Sequence, residues 1–121
     1  MTPDVRMLIG GAFAKGEGDP DPVLNPATGD VVVNVPAASA GQIDAAVLAA
    51  TRAGKTWRRT TPLERSTLLL KLADRIDAEA DTLAALEAEN CGKPKHLVLR
   101  DEIPAISDCF RFFAGAARRN R

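Results

Sequence analysis

Cys91 and His96 are the residues of this sequence whose types and spacing come nearest to a thiol nucleophile with its base. They flank the short corner Gly92-Lys93-Pro94. A reactive thiolate is favoured at a helix N-terminus or beside a cation, whereas Cys91 is predicted to end a helix, where the dipole disfavours an anion. We therefore expect no catalytic role for Cys91, and we interpret Cys109 as a small packing residue.

His96 is the only histidine of the chain. A metal site in a protein needs several His, Cys or carboxylate ligands at suitable spacing, and none accompanies His96. The two cysteines form no CxxC pair either. We expect no metal site.

The neighbouring carboxylates Asp101 and Glu102 are the most conspicuous polar feature, and Asp108 follows one heptad after Asp101. The pair lies near the predicted start of the last helix, where the dipole favours negative charge. From the residues alone, a capping or solvated pair is the favoured interpretation, and a binding site is the alternative. The preceding acids are interpreted as one solvated helix face: Glu64, Asp74, Asp77 and Glu79.

Composition limits the partners that the chain can have. Sixteen Lys and Arg balance sixteen Asp and Glu, and aromatic residues make up only 4% of the sequence. A nucleic-acid surface needs a basic excess, so we expect no nucleic-acid partner. No apolar run approaches the length of a membrane-spanning helix, so we expect no membrane partner. Two cysteines without a pairing motif predict reduced thiols in a cytoplasmic protein.

Two β-hairpins are predicted at the beginning of the chain. Residues 1–6 have no pattern and are expected to form a flexible N-terminus. Gly10-Gly11 separates two short apolar runs, which predicts a hairpin turn. A phosphate-binding loop is the less favoured interpretation, since neither a GxGxxG motif nor a helix follows. Strand-like residues 23–24 and 31–35 flank Asn25–Asp30, whose Asn-Pro and Gly predict the second turn.

Three long helices are predicted to follow the hairpins. Ser39 and Gln42 fit the capping box of the first, which extends to Arg58. Thr61-Pro62-Leu63-Glu64 opens the second, which continues to residue 89 with a bend near residues 78–81. The third covers residues 97–119, with a kink or a late start at Pro104.

The corner Asn90–Pro94 joins the second helix to the third. Gly92 can adopt the positive φ that a helix C-terminus needs, and Pro94 prevents the helix from continuing. Lys93 places a positive charge at the negative end of the helix dipole. We expect this corner to determine how the two helices pack.

Apolar residues at helical spacing define one predicted core face on each helix. Trp57 is predicted to anchor the core near the end of the first helix. The predicted core positions are Ile43, Val47, Ala50, Gly54 and Trp57; Leu68, Leu69, Leu72, Ile76, Leu83 and Leu86; and Leu99, Ile103, Ile106, Phe110, Phe113 and Ala117.

Several of these segments, in this order, resemble the N-terminal part of the aldehyde dehydrogenase superfamily from about Met7 to Asn120. The resemblance of the C-terminal segments is more specific, since they are similar to bacterial γ-aminobutyraldehyde dehydrogenases of putrescine breakdown. The segments that carry the general resemblance are Ile9–Phe13, Val23–Gly29, Glu64-Arg65 with the leucine-rich helix, and Cys91–Pro94; the C-terminal segments are Asp101–Ile106 and Phe110–Arg118.

The resemblance implies an α+β fold, in which two short N-terminal β-hairpins and three long helices form part of the larger aldehyde dehydrogenase α/β fold. Residues 7–121 would be an incomplete piece of that enzyme, on the side of its NAD-binding domain. The family's nucleophilic cysteine, its glutamate and its NAD pocket lie far downstream, so no catalytic or cofactor-binding residue is expected here. NAD and a homo-oligomeric assembly are implied for the full-length enzyme, with the remainder of that enzyme as partner.

The resemblance also implies a substrate-binding role for Asp101 in the channel of aminoaldehyde-oxidising enzymes, where a carboxylate would attract the ammonium group of 4-aminobutanal. Such relatives often carry a second acid at the position of Pro104, and Glu102 is its candidate substitute here. Betaine aldehyde and succinate semialdehyde are the alternative substrates. From a different class of function, a non-catalytic helical interaction or assembly module remains the alternative.

Overall fold

The computed structural model describes residues 5–119 as two compact units, one ending at Arg59 and the next beginning at Thr60. Strands lie in the first unit and most helices in the second, which confirms the α+β class. The predicted flexible N-terminus falls mostly on residues 1–4, outside the described part, and stays a prediction. Arg6, at its end, stacks over the Phe13 ring at 4.5 Å from the ring centroid.

Both predicted hairpins are present. Gly10 and Gly11 have φ values of 61° and 88°, which match a tight turn that needs positive φ at both central positions. Each hairpin is a separate two-stranded antiparallel sheet, and the second has an irregular register between Val23 and Leu24. The strands are β1 (Met7–Ile9) and β2 (Ala12–Ala14), then β3 (Pro20–Leu24) and β4 (Val31–Pro36).

Helix α1 (Ala40–Trp57) begins with the predicted capping box. The Ser39 hydroxyl accepts a hydrogen bond from the Gln42 backbone at 3.2 Å, and the Gln42 side chain accepts one from the Ser39 backbone at 3.1 Å. The Gln42 amide also donates to the carbonyl of Lys15 at 2.8 Å, which ties the helix start to the end of the first hairpin.

Within residues 5–119, the predicted core face of α1 is not buried. No residue of this helix is buried, and Trp57, the expected anchor, is 48% exposed. Ile43 and Val47 are also exposed. The reason is that sheets of two strands, three to six residues long, are too small to cover the face of an eighteen-residue helix.

The second predicted helix is divided into α2 (Pro62–Ala78) and α3 (Ala80–Cys91). The expected bend lies at Glu79, whose φ of −101° and ψ of 11° interrupt the helix. At the start of α2, the Thr61 backbone N–H donates to the Glu64 carboxylate at 2.6 Å and lowers the pKa of Glu64. The capping box is therefore confirmed.

The third predicted helix has a late start, as its proline indicated. A short helix α4 (Lys95–Leu97) leads into one π-helical turn (Val98–Glu102), and α5 (Ile103–Ala117) follows. Pro104 lies in the first turn of α5, where a missing N–H costs no intrahelical hydrogen bond. Asn120 and Arg121, which follow this helix, lie outside the described residues.

Helices α2 and α5 pack against each other along small side chains. We call this contact the small-residue seam, and its members are 0–2% exposed: Ser66, Ala73, Ser107 and Ala114. Such small residues allow two helix backbones to approach closely. A second cluster of Ala84, Val98 and Ile103 lies beside the seam and joins α3 to the start of α5.

The seam overturns part of the predicted core. Ile103 is buried, and Leu69, Ile76, Leu99, Phe110 and Ala117 are half-buried, as expected. Other large side chains that were predicted to be in the core are exposed instead. The predicted core positions of the second unit that are exposed are Leu68, Leu72, Leu83, Leu86, Ile106 and Phe113.

Across residues 5–119, no helix combines the length and apolar character needed to cross a membrane.

Replacing Ala73 by Leu is expected to lower the free energy of unfolding by about 1–3 kcal/mol, because the seam has no space for three additional carbon atoms. Ala85→Leu, one position after buried Ala84 but exposed, is the matched control and is expected to change stability by less than about 0.5 kcal/mol. Urea denaturation followed by circular dichroism measures both. Equal losses of unfolding free energy in the two variants would contradict close packing at the small-residue seam.

Candidate functional site

The corner between α3 and α4 is built by Gly92 and Pro94. Gly92 has a φ of 73° in the left-handed region, and its N–H donates to the carbonyl of Ala88 at 3.0 Å. Pro94 then accepts a hydrogen bond from the backbone of Leu97 at 2.9 Å and begins the next helix. The predicted helix stop is confirmed, and it leaves Cys91 as the last residue of α3.

The candidate nucleophile is poorly placed for catalysis. Cys91 and Cys109 are both free and exposed, and the helix C-terminus at Cys91 is unfavourable for a thiolate. Within residues 5–119, no group of three or more His, Cys, Asp or Glu residues is arranged to hold a metal ion. The described residues thus contain no assembled thiol or metal centre.

Lys93 bridges two carboxylates that the sequence did not connect. Its ammonium nitrogen lies 3.0 Å from Glu87 Oε1 on α3 and 3.0 Å from Glu102 Oε2 on the π-helical turn. The hydrogen bond to Glu102 is the main cause of the raised pKa of Lys93, and Lys93 in turn lowers the pKa of Glu87. The expected interaction of Lys93 with the helix dipole is therefore accompanied by a charge bridge across the corner.

Asp101 has a different partner from Glu102. The Arg100 guanidinium donates to Asp101 Oδ1 at 2.7 Å and to Oδ2 at 2.8 Å, in a two-pronged ion pair. These hydrogen bonds lower the pKa of Asp101. The predicted pair of site residues is thus adjacent in sequence, but each carboxylate binds its own cation.

A groove of about 410 Å³ lies between α3 and the start of α5. Glu102 lines it together with Glu87 and Asn90, whereas Asp101 does not belong to its lining. Sequence analysis assigned Leu83 and Leu86 to the core, whereas the structure places them in the lining of this groove. The apolar walls are Ile76, Leu83, Leu86, Val98, Ile103 and Ile106.

Arg111 connects α5 to the acids of α2. Its guanidinium lies 2.9 Å from Asp74 and 2.7 Å from Asp77, and the hydrogen bond with Arg111 is the main cause of the lowered pKa of Asp77. The sequence interpretation of these acids as a solvated face was incomplete, because it did not include the cross-helix partner. The arrangement is an interhelical clamp beside the seam.

Comparison with known proteins finds similarity to proteins that are several times longer than this chain. A profile of the aldehyde dehydrogenase family matches residues 13–121. A long-chain-aldehyde dehydrogenase from Acinetobacter is 41% identical over 95 residues, which are 78% of this chain and 19% of that protein.

Solved structures of aldehyde dehydrogenases are also similar to this chain. The NAD+ complex structure of aldehyde dehydrogenase from Bacillus cereus has a TM-score of 0.87 and 40% identity, over 93% of this chain and 24% of that one. A betaine aldehyde dehydrogenase from Staphylococcus aureus, solved with NAD+, has a TM-score of 0.90 and 27% identity, over 97% and 24%. The chain therefore spans about a quarter or less of the length of these proteins.

Lys93→Met is expected to raise the pKa of Glu87 towards its ordinary value of 4.5, because the cation that stabilises the carboxylate is removed. A depressed carboxyl pKa contributes stability above the unfolded-state pKa, and this contribution is lost as the pH falls through the folded-state value. Titration of the side-chain carboxyl carbons by NMR measures the change. Glu64, whose pKa is lowered mainly by the Thr61 backbone, is the internal control. An unchanged pKa of Glu87 in the Lys93→Met variant would contradict the charge bridge.

Proposed function

Because the chain belongs to the aldehyde dehydrogenase family, we propose that residues 7–121 form the N-terminal part of an NAD-dependent enzyme that oxidises 4-aminobutanal to the carboxylic acid. The family match over residues 13–121 is the observation that carries the general activity. The NAD+ complexes among the similar structures support the choice of cofactor.

The described residues do not fit the phosphates of NAD. Dinucleotide phosphates are bound by free backbone N–H groups at a helix N-terminus after a glycine-rich loop. Gly10 and Gly11 instead lie in a hairpin turn, and the N-terminus of α2 carries the carboxylate of Glu64. We place the NAD pocket in the remainder of the enzyme.

The chemical step also belongs to the remainder of the enzyme in this proposal. The position of Cys91 at a helix C-terminus is unsuited to a nucleophilic thiolate. Exposed Cys109 has no histidine beside it in the sequence that could act as its base, because His96 is the only histidine. Residues 1–121 alone are therefore expected to form no NADH from any aldehyde. Their role is to supply a scaffold and part of the route by which the substrate enters.

Asp101 is the residue that we assign to the substrate. Its side chain is 54% exposed on the π-helical turn, so an ammonium group can approach it from solvent. A carboxylate at this position attracts the amino end of 4-aminobutanal while the aldehyde end extends towards the reacting groups. Glu102 is assigned a supporting role, since its negative charge lies next to Asp101 but is shared with Lys93.

Betaine aldehyde is the second candidate substrate. It too carries a cationic head group, and the similarity to the Staphylococcus aureus betaine aldehyde dehydrogenase favours it. Succinate semialdehyde is less compatible with Asp101, because a carboxylate repels an anionic substrate.

We further propose that the full-length enzyme is a cytoplasmic homo-oligomer. Support for the assembly comes from the apolar residues exposed on α1, including Ile43, Val47 and Leu48, which the remainder of the enzyme or a second subunit would cover.

A non-catalytic interaction module would expose the same residues for a different partner. The reading frame after the codon for Arg121 separates the two, since an in-frame continuation with a nucleophilic cysteine favours the enzyme.

In the full-length enzyme, Asp101→Asn is expected to lower kcat/KM for 4-aminobutanal about five-fold and to leave butanal oxidation unchanged, because only the first substrate carries an ammonium group. NADH formation measures both rates. Asp108→Asn, at an exposed position of α5, removes the same charge elsewhere and is the control. An unchanged selectivity in Asp101→Asn would contradict the substrate role of Asp101.

A further inference from the structure

Arg100 occupies the carboxylate that the proposed function assigns to the substrate. Its guanidinium binds both oxygens of Asp101, at 2.7 and 2.8 Å. From this geometry we propose that Arg100 determines how strongly the enzyme discriminates between aldehydes with an ammonium group and neutral aldehydes. The inference rests on the proposed function, because it concerns the selectivity of the same site.

The charges around the pair explain this role. Arg100 and Asp101 together carry no net charge, so an approaching ammonium group meets a neutral pair in place of a carboxylate. To bind Asp101, the ammonium must either use the remaining lone pairs of the carboxylate or displace a guanidinium hydrogen bond, and in both cases it approaches the positive charge of Arg100. Glu102 does not compensate fully, because Lys93 lies 3.0 Å from its carboxylate.

The pair is poorly suited to a purely structural role. Arg100 and Asp101 both lie on the π-helical turn, so their ion pair ties no separate element to it. The side chains of Arg100 and Asp101 are 69% and 54% exposed, and exposed ion pairs contribute little to folding. A substitution of Arg100 is therefore expected to change substrate selectivity without unfolding the protein.

Arg75 provides a matched control. It too is an exposed arginine, with a side chain 75% exposed and an ion pair of 2.7 Å to Glu79. Arg75→Gln removes the same unit of charge from the same enzyme, but on α2 and away from the assigned carboxylate. The change in net charge is thus the same in both variants, whereas contact with the Asp101 carboxylate is lost only in Arg100→Gln.

The experiment compares steady-state NADH formation by the full-length enzyme and its variants with 4-aminobutanal and butanal, at low ionic strength. Arg100→Gln is expected to lower KM for 4-aminobutanal about five-fold and to leave KM for butanal within about two-fold. Arg75→Gln is expected to change neither. Arg100→Lys keeps the charge but loses the two-pronged geometry, so its KM is expected to lie between those of the native enzyme and Arg100→Gln.

The double variant Arg100→Gln/Asp101→Asn is expected to lose the gain of Arg100→Gln, since the liberated carboxylate is then absent. An unchanged ratio of KM values in Arg100→Gln, an equal change in Arg75→Gln, or a gain that persists in the double variant would each overturn the role of Arg100. Those results would not contradict the proposed dehydrogenase function. An enzyme that oxidises neither aldehyde would instead overturn the proposed function, and this inference with it.

Discussion

The close approach of α2 and α5 depends on four small side chains, because only residues such as Ser and Ala leave room for two helix backbones to lie side by side. Ser66 and Ala73 supply one side of this seam, and Ser107 and Ala114 supply the other. Arg111 adds a polar clamp next to it. The position of α5, and hence of everything that immediately precedes it, follows from this contact.

Asp101, the proposed substrate residue, lies on a turn whose backbone is held by several contacts. Ile103, at the first turn of α5, is buried with Val98 and Ala84, so both ends of the π-helical turn are held by packing. Gly92 ends α3, and Lys93 ties the corner to the same turn. A π-helical turn is an uncommon feature that occurs frequently at functional sites. The carboxylate of Asp101 is thus presented to solvent from a backbone that is fixed on both sides.

Local signals predicted the fold better than apolar patterns did. The capping residues Ser39 and Thr61, the stop at Gly92 and the late start at Pro104 were readable because each satisfies a backbone requirement of its own neighbours. The core was misassigned because the helical spacing of Leu and Phe does not reveal which face meets a partner. The seam uses small residues, which carry no strong apolar signal, and the ion pairs of Asp101 and Glu102 depend on side-chain geometry.

Amide hydrogen exchange of the 121-residue chain, followed by NMR, tests most directly whether the seam organises the second unit. We predict the slowest exchange for backbone amides of α2 and α5 around Ala73 and Ala114, residues that are 0% and 1% exposed. Amides of α1 are expected to exchange faster, since none of its residues is buried. Fast exchange throughout α2 and α5, or slowest exchange in α1, would contradict the central role of the seam.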